Sequence, residues 1–78
     1  MKDIKFPQYR KYSNDLSYFK IISANEMIEV RRVGKKLIIT ELLASQLPEL
    51  NYINDLLNEE GRALTIEADE FEVLLKEL

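Results

Sequence analysis

Apolar and polar residues alternate through the first half of the chain, and the period then lengthens. Tyr9–Tyr12, Ser17–Ile22, Met27–Val33 and Lys36–Ala44 are rich in aromatic and β-branched residues, the composition of strands. Ser13-Asn14-Asp15-Leu16, Ser23-Ala24-Asn25-Glu26 and Gly34-Lys35 separate them, and connections this short imply an antiparallel meander. Beyond Pro48, which suits the first turn of a helix, Leu50, Ile53, Leu56 and Leu57 recur at helical spacing, predicting a helix over 49–60 that Gly61 stops. Ala63–Ile66 has room for a short fifth strand. From Ala68 onward Phe71, Leu74, Leu75 and Leu78 share one helical stripe, preceded by Glu67, Asp69 and Glu70. Those three acids read as a helix-start signal rather than a metal site. The expected architecture is α+β: a single domain over 1–78 in which a four-stranded antiparallel β-meander is packed on one face by two helices.

The turns predict a register. A two-residue turn at Gly34-Lys35 sets Val33 opposite Lys36, Val30 opposite Ile39 and Ile28 opposite Glu41. A loop over 23–26 sets Ile22 opposite Met27, Ile21 opposite Ile28 and Phe19 opposite Val30. One face then holds Phe19, Ile21, Ile28, Val30, Leu37, Ile39 and Leu43, the expected core. Glu41 and Arg32 fall on that face too, and a bulge in the fourth strand is one way to turn Glu41 outward. The other face, open to water if both helices take the first, carries Tyr9, Lys11, Tyr18, Lys20, Glu29, Arg31 and Lys36 with Ile22, Met27, Ile38 and Leu42.

Composition narrows the chemistry. In 78 residues there is no cysteine and no histidine, which removes disulfides, thiolate nucleophiles, ordinary zinc ligands and the commonest general base. No catalytic residue, metal or cofactor is implied, and the expectation is that the protein is not an enzyme. Ser13, Ser17, Ser23 and Ser45 have no histidine to activate them. The opening residues lack the apolar core of a signal peptide, and no run approaches the roughly 20 apolar residues of a membrane span, so the expected location is cytoplasmic.

Charge divides the chain. Residues 1–36 carry nine basic against four acidic groups, +5, and residues 37–78 two against ten, −8, which together give the net −3. Such a split fits either a basic surface for an anionic partner or two layers of one domain attracting each other.

The open face suggests two functions. Tyrosine, methionine and arginine are enriched at interface centres, so Tyr18, Ile22, Met27, Arg31 and Leu42 form a candidate partner-binding patch for another protein or a second copy. Alternatively, Tyr9, Lys11, Tyr18, Lys20 and Arg31 could hold single-stranded nucleic acid, rings stacking on bases and cations meeting phosphates. A merely solvated face is the third option, with Tyr18 over Arg31 and Lys20 facing Glu29 as cross-strand pairs.

Phe6-Pro7-Gln8-Tyr9-Arg10-Lys11 and Ser17-Tyr18-Phe19-Lys20-Ile21-Ile22-Ser23 resemble the opening of a group of small bacterial proteins with no assigned function. The resemblance covers the first half of the chain and implies no activity, ligand or site. The expected function is a non-catalytic protein-interaction module or small self-associating protein, with single-stranded nucleic-acid binding as the alternative.

Overall fold

A computed structural model describes residues 5–58, 61 and 63–77, so the opening Met1 to Ile4 and the stripe residue Leu78 lie outside the described residues. Five strands and two helices follow in the order β1 (Gln8–Tyr12), β2 (Ser17–Ser23), β3 (Glu26–Val33), β4 (Lys36–Leu43), α1 (Leu47–Leu57), β5 (Ala63–Thr65) and α2 (Ala68–Leu75). The strands form one antiparallel sheet in the order β4-β3-β2-β1-β5, so the α+β class and the four-stranded meander are as expected, and Ala63–Thr65 adds to β1.

The turn residues fix the hairpins. Gly34, at φ 62°, supplies the positive φ that a two-residue hairpin needs at its first turn position, and Val33–Lys36, Val30–Ile39 and Ile28–Glu41 pair as the turn predicts. Between β1 and β2, Asp15 takes a left-handed φ of 59°, its N–H donates to the Tyr12 carbonyl at 3.0 Å, and the Asn14 side chain accepts from the Leu16 N–H at 2.9 Å.

The β2–β3 register departs from expectation by one residue. Ser23 pairs with Glu26 around the Ala24-Asn25 turn, but Ile22 is then bulged out, and Ile21 meets Met27 while Phe19 meets Glu29. A single extra residue inverts the phase of everything beyond it. Phe19 and Ile21 therefore share a face with Met27, whereas Val30 shares the opposite face with Tyr18, its directly paired neighbour. Tyr18 does not pair with Arg31, nor Lys20 with Glu29; Ser17 meets Arg31 and Lys20 meets Ile28.

Both faces of the sheet are thus apolar, and each takes one helix. On one, Phe19, Ile21 and Met27 pack with Ala44, Ala63 and with Ile53 and Leu56 of α1. On the other, Val30 packs with Phe71 and Leu74 of α2, flanked by Tyr9, Tyr18, Ile28 and Leu37. The expectation that both helices cover one face is corrected: the β2 bulge sends Phe19 and Val30 to opposite sides, so one helix is needed on each.

Helix α1 is tied to the sheet by Arg10, 7% exposed. Its Nε–H donates to the Leu56 carbonyl at 3.1 Å, in the last turn of a helix that has no basic residue there. A cation from β1 thereby meets the negative end of the α1 dipole. Helix α2 has Asp69 and Glu70 in its first turn, as helix-start acids. Ion pairs Lys11–Glu70 (3.0 Å) and Arg32–Glu77 (3.0 Å) join the basic sheet to the acidic C-terminal half, in keeping with the layered reading of the charge split. Among the described residues no helix is long and apolar enough to cross a membrane.

Candidate functional site

The residues expected on one open face are divided between two covered ones. Tyr9, Lys11, Tyr18 and Lys20 lie on the α2 side; Met27, Arg31 and Leu42 lie on the α1 side, and Ile22 is the bulged residue. Tyr9 packs its ring on Phe71, with centroids 5.6 Å apart, and Tyr18 is half-buried beside Val30. Lys11 is committed to Asp15 at 2.8 Å as well as to Glu70, and these hydrogen bonds raise its pKa well above the ordinary lysine value. Met27, 1% exposed, is core rather than surface. Arg31 is exposed, but on the face opposite to the tyrosines. No common surface presents all five members of either candidate set.

Three of them do meet. Ile22, Met27 and Leu42 line a recess of about 340 Å³ at the bulged end of the sheet, together with Ile28, Glu41 and Leu43. Met27 and Leu42 also floor a second recess, of about 310 Å³, between β4 and the start of α1, walled by Thr40, Pro48, Glu49 and Tyr52. Tyr52 stands edge-on to Phe19, with centroids 6.2 Å apart. Burial, then the Glu29 carboxylate and a hydrogen bond with Tyr12, raise its hydroxyl pKa well above the ordinary value.

These recesses adjoin the outer edge of β4. The sheet has two edges, and β5 blunts one by being three residues long. The other is eight residues of β4, with no proline and no bulge against β3. The Ala44 N–H donates to the Asn25 carbonyl at 2.7 Å, so even-numbered positions of β4 turn their backbone groups inward. Leu37, Ile39, Glu41 and Leu43 accordingly present theirs outward, and among the described residues no strand lies beside them. Five of its eight side chains are apolar, set among Lys36, Thr40 and Glu41, and the exposed apolar ones stand on both faces: Ile38 is 41% exposed, Ile39 45% and Leu43 68%. Val33 and Leu47 extend the exposed apolar band at its two ends.

The α1 placement explains why this edge is bare. Its last turn is held at β1 by Arg10, and its buried residues Ile53 and Leu56 sit on Phe19 and Ile21, leaving Arg31, Val33, Ile38 and Thr40 uncovered. Ile38, Ile39 and Leu43 as a docking edge were not singled out from sequence. A usable signal was present: Gly34-Lys35 places β4 beside β3, and the helical pattern following Ala44 supplies no strand for its other side.

Comparison with protein-family models, with curated proteins and with solved structures finds no match.

Proposed function

We propose that this protein is a non-catalytic protein-docking module that takes an extended polypeptide segment along the edge of β4. The observation that carries the reading is that edge: an eight-residue strand with four outward backbone positions and Ile38, Ile39 and Leu43 exposed around them. Strand addition supplies main-chain hydrogen bonds for affinity and side-chain contacts on alternate faces for specificity. The recess beside Thr40 and Leu42 offers an apolar receptacle next to the added strand. The nucleic-acid alternative draws no comparable support, because its tyrosines are packed against α2 and Lys11 is held in two ion pairs.

A photo-crosslinking amino acid at Ile39, introduced in the native cell, tests the reading against the same probe at Val73, which is 61% exposed on α2. Polypeptide adducts at position 39 and none at 73 are expected. Absence of adducts at 39, or equal yields at both positions, would reject the docking edge.

A further inference from the structure

We infer that the segment added to β4 is β4 of a second copy, in an antiparallel pair centred on Thr40. This rests on the docking reading above and names the occupant. A two-fold axis perpendicular to the sheet keeps each face on its own side, so only registers that pair odd with odd and even with even positions are allowed. The outward backbone groups belong to 37, 39, 41 and 43, and these must form the hydrogen-bonded pairs. Centring on Thr40 uses all four, giving Leu37–Leu43 and Ile39–Glu41 each twice, about eight main-chain hydrogen bonds. Shifting the centre to Ile39 leaves Leu43 beyond the paired strand, and shifting it to Glu41 sets two carboxylates face to face.

Side-chain chemistry selects the same register. On the α2 side Leu43 meets Leu37 of the second copy, covering the most exposed large apolar residue of the strand. On the α1 side Ile38 meets Leu42 at the rim of the 310 Å³ recess, and Thr40 meets its own counterpart, a favourable cross-strand pair. Lys36 of one copy comes opposite Ala44 of the other, beside the start of α1, where Glu49 accepts from the Ser45 N–H at 3.5 Å. Basic strand start and acidic helix start are thus brought together twice. One feature opposes the pairing: the two Glu41 carboxylates become diagonal neighbours across the axis, which limits affinity.

The chain has no cysteine, so a single introduced thiol reads the register directly. Thr40 sits at a non-hydrogen-bonded pair, where Cα atoms approach to about 4.5 Å, within disulfide range. Oxidation of Thr40→Cys is expected to give a disulfide-linked dimer in high yield, and Ile38→Cys, opposite Leu42, little or none. Sedimentation of the unmodified protein should show a reversible dimer. Ile39→Pro, which removes an outward N–H and no bond to β3, should raise its dissociation constant at least tenfold with circular dichroism unchanged. Glu41→Gln should lower it. Equal crosslinking from both thiol positions, or a protein that sediments as a monomer up to millimolar concentration, would overturn self-pairing. If position 39 then still crosslinks to other polypeptides in the cell, the docking edge stands with a different occupant; if it crosslinks to nothing, both ideas fall.

Discussion

At the residue scale, Arg10 shows how a charge becomes structural. Its guanidinium donates to the carbonyls of Leu56 (3.1 Å) and Tyr9 (2.9 Å) and to Gln8 Oε1 (3.0 Å), so the group is buried but hydrogen-bonded. Truncation would strand the Leu56 carbonyl at the end of α1, so Arg10→Met is expected to cost about 2 kcal/mol in urea unfolding. Arg10→Lys should recover little of it, since an ammonium lacks the planar fork. A loss under about 0.5 kcal/mol would mean that α1 is held by apolar contact alone. Tyr52 and Lys11 make a second prediction. Both have folded-state pKa values above their ordinary values, Tyr52 mainly through burial and Lys11 through its carboxylate partners. As pH rises past about 10, the unfolded chain releases these protons before the folded one does, so stability should fall from there upward. The urea midpoint should drop as the pH rises from about 10 to about 12, and Tyr52→Phe should flatten the drop; an unchanged slope would remove Tyr52 from the account.

At the element scale the decisive feature is the bulge at Ile22. Everything set by a local turn was legible in the sequence: Gly34 fixed the β3–β4 pairing, and Asn14-Asp15 kept Tyr9, Lys11, Tyr18 and Lys20 on one side. Ser23–Glu26 also pairs as the loop implies, but nothing in the residue types announces that Ile22 will be unpaired. Its side chain suits either state, and the outcome depends on two apolar faces each acquiring a helix, a tertiary matter. The candidate patch was lost with the phase. Deleting Ile22 tests this directly, because it joins Ser23–Glu26 to Ile21–Met27 as a continuous ladder and leaves both faces as they are. The deletion variant should keep the native fold at a cost of about 1–2 kcal/mol, that of a half-buried isoleucine. Collapse of the near-ultraviolet tyrosine signal would show that the bulge itself, and not the register beyond it, is required.

At the scale of the whole molecule, one sheet serves two thin cores. Phe19, wholly buried on the α1 side, and Phe71, 1% exposed on the α2 side, belong to separate clusters on opposite faces of the sheet, and neither core is large. A domain of this size commands roughly 3–5 kcal/mol in total. Truncating a buried phenylalanine removes about 3–5 kcal/mol, as much as the whole. The surface ion pairs Lys11–Glu70 and Arg32–Glu77 are too exposed to make up such a loss. Phe71→Ala should therefore unfold both sides together, not merely release α2, because β2 and β3 lose their hold on Val30 and with it the alignment that buries Phe19 and Met27. Amide exchange can decide this, since Ile53 and Leu56 of α1 lie on the far side of the sheet from Phe71. Loss of protection at those α1 amides is the expected result; protection persisting there would mean that the α1 core stands without its counterpart.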